Sequence, residues 1–318
     1  MVIAALVGVA VGVVGSRILH KVETVEVAAP VPEASVQAPT PVKVRVLDEL
    51  WSISSDELEK MDLAHVNLLC AQGLPRRANA EFSLDECLRQ FDRMVEQVRR
   101  ETARNIHQFD ENPADFDHSE PFFRVAMMNT ILGEDFGVRY NPEKVASPSL
   151  SNLQDSSFYQ DADDVFLTGL LAGEKLGTCA SMPVLIAAVG RRLGYPLKLV
   201  AAKAHLFVRW DDGTTRVNFE CTNGVSMQSD EHYRQWPFPI SGEEVEAGLY
   251  LKSLTAHEEL AAFLSIRSQV EARHRRVIDA LGTLAHVNRL HPLHPDYEVQ
   301  LAFVCRDWMG EIGLLGSA

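Results

Sequence analysis

The feature that most constrains this chain is a change of hydrophobic period around one cysteine, Cys179. Upstream of it, apolar residues recur at helical spacing. Downstream they alternate in three short segments, Leu197 to Ala202, His205 to Trp210 and Arg216 to Cys221, the pattern of strands. Ser54-x-x-Glu57 and Ser83-x-x-Glu86 read as capping boxes, and the helix after Ser83 gathers Leu88, Phe91, Met94, Val95 and Val98 on one face. Leu63 to Gly73 reads as a shorter helix stopped by glycine, and Phe122 to Leu132 as one begun by Pro121 and ended by Gly133. Asn141 to Asp164 has no period and reads as a long surface loop of the kind that flanks active sites, followed by a short helix to Gly173. Met182 to Leu193 is an apolar-faced helix closed by Gly194, and Asp211-Asp212-Gly213 joins the last two strands as a hairpin turn. Helices followed by a small antiparallel sheet make an α+β layout. Beyond Tyr233 the chain returns to helix: Ser241-x-x-Glu244 and Thr255-x-x-Glu258 open two segments, Val270 to Leu290 continues, and Tyr297 to Trp308 follows two prolines.

Charge and cysteine usage narrow the partners. A formal charge of −14, with no Lys/Arg run, argues against nucleic acid, which needs a basic face. Five cysteines (70, 87, 179, 221 and 305) are odd in number and lack CxxC spacing, so neither a disulfide framework nor a zinc pattern is expected. Cys70, Cys87 and Cys305 read as small apolar core residues. His291-x-x-His294-x-Asp296 holds ligand types, but Pro292 and Pro295 interrupt it, and no metal or other cofactor is expected. Met1 to Gly15 is apolar or glycine throughout and spans roughly 22 Å as a helix. That is short of a ~30 Å hydrocarbon core unless the span extends to Leu19 with Arg17 snorkelling. Residues 1–21 are therefore expected to be a single-pass membrane anchor. A signal segment is the alternative, although its basic n-region is missing. Arg17 and Lys21 follow the apolar run, so the positive-inside rule places the folded part in the cytoplasm; export to the periplasm goes with the alternative. Residues 22–45, with four prolines among Val, Ala and Glu, read as an extended linker.

The chemistry concentrates at Gly177-Thr178-Cys179, His205 and Glu220. A thiol at or just before a helix N-terminus is activated by unpaired N–H groups and the macrodipole. Gly177 would leave the approach of a substrate carbonyl open, with Thr178 beside it, and the Cys179 N–H would serve an oxyanion. His205, Phe207 and Arg209 share one strand face. A hairpin centred at 212.5 sets Glu220 nearly opposite His205, where a carboxylate can orient the imidazole. Asn218, on the same face, is the alternative orienter. GxSxG, HExxH and phosphate-loop motifs are absent from the sequence.

Gly177-Thr178-Cys179, Lys198-Leu199-Val200 through His205-Leu206-Phe207-Val208, and Glu220-Cys221-Thr222 resemble the transglutaminase-like superfamily. There a helix-start cysteine, a strand histidine and a following acid form a papain-like triad. The family's usual third element is Asp-Pro-Thr, and Glu220-Cys221-Thr222 stands in its place. Asp62-Leu63-Ala64 through Leu69, the helix from Leu88 to Val98, and Asn129 to Gly137 resemble the helical lead-in of one bacterial branch. That branch joins its core to tetratricopeptide-like helices. The resemblance implies a papain-like/transglutaminase-like core over 46–235, its Cys-bearing helix packed on the sheet, and a C-terminal helical tail over 236–318. It further implies a cysteine hydrolase or acyltransferase that attacks an amide or ester carbonyl of a peptide or protein and passes through a thioacyl intermediate. The alternative is a non-catalytic module that docks a protein partner through its core and C-terminal helices.

Overall fold

Caps and apolar stripes build the first half of the molecule. In the computed structural model, residues 44–77, 81–144, 157–292 and 294–311 are described. The lead-in comprises α1 (Ser55–Leu58), α2 (Leu63–Cys70), α3 (Leu84–Glu111) and α4 (Glu120–Phe136). Ser83 starts α3 by accepting the Glu86 N–H at 3.3 Å, and Phe91, Met94, Val95 and Val98 bury its apolar stripe. α4 runs on to Phe136 rather than stopping at Gly133. A side chain there would meet only Val138 O at 3.6 Å, and it is Gly137, at φ 75°, that adopts the left-handed cap.

Of the loop expected over 141–164, residues 145–156 lie outside those described. Its described end enters α5 (Ala162–Val165) and α6 (Leu167–Leu171). A short parallel pair then forms between β1 (Arg139–Tyr140) and β2 (Leu176–Gly177), with Tyr140 opposite Gly177. α7 (Met182–Arg192) follows and packs on the sheet closely enough that a Cβ at Gly190 would fall 2.3 Å from Leu197 Cδ1.

That sheet is antiparallel, in the order β3 (Leu197–Ala202), β4 (His205–Asp211), β5 (Arg216–Glu220), β6 (Ser226–Gln228). The β4–β5 turn holds four residues rather than a tight Asp-Gly pair. The Asp212 carboxylate accepts the N–H groups of Thr214 at 2.9 Å and Thr215 at 2.7 Å, and Asp211 pairs with Arg216. The hairpin is therefore centred at 213.5, midway between 211 and 216, instead of 212.5. A second core covers one sheet face, where Phe207 stacks on Tyr233 at 3.7 Å among Val200, Ile240, Tyr250 and Leu251.

After α8 (Asp230–Gln235) and α9 (Gly242–Glu246), three helices close the chain: α10 (Ala256–Arg273), α11 (Val277–Leu290) and α12 (Pro295–Glu311). The helix expected to run unbroken from Val270 to Leu290 is interrupted by Arg275, which adopts φ 57°. α10 is tied to the lead-in by Arg267, whose Nη1 donates to the carbonyls of Cys70 at 2.9 Å and Gln72 at 2.7 Å.

The expected single-pass membrane anchor, and with it the placement of the folded part on the cytoplasmic or periplasmic side of a membrane, is corrected. No helix among the described residues is long and apolar enough to cross a membrane. The longest, α3, has the length but carries Asp, Glu and Arg along its exposed side. The stretch expected to be the anchor, 1–21, and all but the end of the one expected to be a linker, 22–45, lie outside the described residues.

Candidate active site

Cys179 occupies the turn that leads into α7. The turn is closed by Ser181 N–H to Thr178 O at 3.1 Å and Met182 N–H to Thr178 O at 2.9 Å. Thr178 Oγ1 donates to the Asp164 carbonyl at 2.8 Å and accepts the Ala180 N–H at 3.2 Å. Ser181 Oγ takes the Thr178 N–H at 3.0 Å and donates to the same carbonyl at 3.1 Å. Gly177 and Thr178 thus face the interior rather than a substrate path. A Cβ at Gly177 would lie 2.9 Å from Met182 Cγ, 2.9 Å from Ser181 Oγ and 3.0 Å from Leu170 Cδ2.

His205 opens β4 directly after the two-residue turn Lys203-Ala204, with Ala204 at φ 61°. Its ring is buried, its Nε2 lies 2.7 Å from Glu220 Oε2, and the Cys179 side chain is its other polar neighbour. Burial disfavours the imidazolium, but the hydrogen bonds and charges of Cys179 and Glu220 outweigh it and raise the pKa to about 9. Its two partners thus favour the imidazolium, the form in which both nitrogens donate. Burial works to raise the Glu220 pKa, yet His205 and Thr222 hold the carboxyl below its usual range.

The second oxygen of Glu220 is fixed separately. Oε1 accepts the N–H groups of Cys221 at 3.1 Å and Thr222 at 3.0 Å, and the Thr222 hydroxyl at 2.5 Å. Tyr233, kept protonated by burial and by the Glu220 charge, donates its hydroxyl to Oε2 at 3.2 Å. Trp236 packs edge-on against the His205 ring at 4.7 Å.

The structure brings Cys179, His205 and Glu220 together and places Asn218 elsewhere. Asn218 is paired with Arg209, whose Nε donates to Asn218 Oδ1 at 2.6 Å, and its own Nδ2 donates to Asp230 Oδ1 at 2.8 Å. His294 of the candidate ligand motif points Nε2 at the Leu249 carbonyl, 3.3 Å away. Among the described residues no group of His, Cys, Asp and Glu is arranged to hold a metal.

Sequence reasoning missed Tyr140. Its phenol lies close to the backbone N–H and the side chain of Cys179, and burial together with the charge of Cys179 pushes its pKa upward. Nothing in the local sequence signals this, because the contact depends on the two-residue pairing of β1 with β2. Tyr233 and Trp236 were also missed, since they enter from α8 and its C-terminal end, outside the strands.

A cysteine in the turn before a helix, packed on an antiparallel sheet whose histidine and acid meet it, defines a protein of papain-like architecture. The profile of the transglutaminase-like superfamily matches residues 85–258, more than half of the chain, and the chain belongs to that superfamily. No curated protein and no solved structure matches it.

Proposed function

We propose that this protein is a cysteine hydrolase or acyltransferase acting on an amide or ester carbonyl of a peptide or protein. The observation that carries the proposal is the buried His205 ring held by Glu220 at 2.7 Å with Cys179 as its other neighbour. In this reading the Cys179 thiolate attacks the carbonyl carbon, and the oxyanion forms beside the Tyr140 hydroxyl, which the Cys179 N–H polarises from behind. His205 gives its proton to the leaving amine or alcohol, and a thioester remains on Cys179. Water or an amine then attacks the thioester, His205 takes its proton, and an acid or a new amide leaves as the thiolate is restored. Residues 46–235 carry this chemistry, and the helices that follow, to Glu311, form its tail.

Iodoacetamide labelling tests the reading. Cys70 and Cys87 are buried, with pKa values that burial pushes up to about 12 and about 11, and burial also raises Cys221. Cys179 should be alkylated far faster than these three near neutral pH, and faster than the half-buried Cys305, which has no histidine beside it among the described residues. Labelling of Cys179 as slow as theirs sinks the proposal.

One observation favours docking as a second reading. Val299, Leu301, Phe303 and Trp308 on α12 are 53%, 41%, 37% and 38% exposed. In that reading the C-terminal helices act as tetratricopeptide-like elements for a protein partner. Cys179→Ala then keeps the biological role, and polar replacements on α12 abolish it.

A further inference from the structure

We infer that Asp164 is a positioning residue that holds the Tyr140 hydroxyl against the Cys179 N–H. The parallel pairing that brings these groups together is two residues long on each side, too little to be stable by itself. Asp164 joins both halves. Its backbone carbonyl accepts the hydroxyls of Thr178 and Ser181 at 2.8 and 3.1 Å, gripping the cysteine turn on either side of Cys179. Its carboxylate accepts Asn141 Nδ2 at 2.8 Å, gripping the strand one residue after Tyr140.

The side chain of Asp164 is 1% exposed, and a buried carboxylate persists only when paired. Arg77 Nη2 at 3.0 Å and Lys144 Nζ at 3.2 Å supply the pairing. Arg77 is itself shared with Asp161 and Glu174, and neighbouring Asp163 is taken by Arg76. Asp164 hydrogen-bonds neither the thiol nor the imidazole, so its effect on them runs through Tyr140 and the turn. The catalytic significance of this clamp rests on the proposed cysteine chemistry; the clamp itself rests on the distances above.

The test pairs two measurements on the full chain: hydrogen exchange of the Cys179 amide, and the pH dependence of Cys179 alkylation. Tyr140→Phe and Asp164→Asn should each accelerate exchange at Cys179, roughly tenfold for the loss of one ordinary polar contact, with α7 amides such as Leu185 unchanged. The double variant should be no faster than the more affected single one, because both act on one contact. Wild-type exchange in Asp164→Asn, or effects that multiply in the double variant, overturns the inference.

Should Asp164→Asn fail to fold, the Thr178 pair decides. Thr178→Val should loosen Cys179 and Thr178→Ser should restore it, while Thr178→Val exchanging like wild type counts against the clamp. Slow alkylation of wild-type Cys179 would remove the cysteine-enzyme reading, and the exchange data would still judge Asp164.

Discussion

Glu220→Gln tests the electrostatics of the site at a single atom pair. Glu220 Oε2 stands 2.7 Å from His205 Nε2, and burial alone would drive the imidazole below its ordinary 6.5. It stands at about 9 because Cys179 and Glu220 together outweigh burial. A hydrogen bond to a charged group in such a place contributes about 2 to 3 kcal/mol, and one decade of proton affinity corresponds to about 1.4 kcal/mol. Glutamine keeps the shape and a carbonyl acceptor but deletes the charge. The His205 midpoint should therefore fall from about 9 to roughly 7 to 7.5. The assay is a pH titration of the imidazole nitrogens by NMR on histidine-labelled protein, run on wild type and Glu220→Gln. The Cys179→Ala background, run alongside, separates the thiol's share. A midpoint that Glu220→Gln leaves unmoved refutes the assignment of Glu220 as the group that holds the ring charged.

Two further outcomes follow from neighbouring contacts. Asn218→Ala should cost about 1 to 3 kcal/mol in urea unfolding, because it strips a partner from the fully buried Arg209, yet leave the His205 midpoint near 9. A falling midpoint would make Asn218 the orienter instead. His205 has a folded value of about 9 above its ordinary 6.5, so its stabilisation is complete below about pH 6.5 and is lost as the pH rises through 9. Glu220, held below its ordinary 4.5, acts in the opposite sense, contributing above that value and losing the contribution as the pH falls. The stability gap between wild type and His205→Gln, from urea unfolding, should accordingly be wide near pH 6 and narrow near pH 10; a gap that widens with pH contradicts this linkage.

What was legible in the sequence is what is decided locally. Capping boxes at Ser54, Ser241 and Thr255 form as their spacing predicts, because donor and acceptor lie three residues apart on one chain segment. The helix-to-sheet switch is equally local, and it carries the α+β class and the superfamily. The break between α10 and α11 has no such mark. Arg275 enters the left-handed region without being glycine, and its neighbour Arg276 donates Nη1 to the Gly73 carbonyl at 2.7 Å, a contact made across 203 residues. Tertiary structure chose that break, and residue type is silent about it.

The pairing of His205 with Glu220 shows why part of a site survives an error in register. The Asp212 carboxylate lengthens the turn and moves its centre by one residue, so each β5 residue meets a β4 partner two places further along than a tight turn would give. A shift of two keeps every side chain on its own face, whereas a shift of one would have sent Glu220 to the other side of the sheet. Continuing the observed register sets Glu220 beside Phe207 and diagonal to His205, at a Cα separation of about 7 to 8 Å. That diagonal suits a glutamate. Its long arm carries the carboxylate across to Nε2, and the N–H groups of Cys221 and Thr222 hold its other oxygen in place. Tyr140 and Asp164 had no equivalent trace, because parity links residues within a hairpin and says nothing about a parallel pair formed across 37 residues, from 140 to 177.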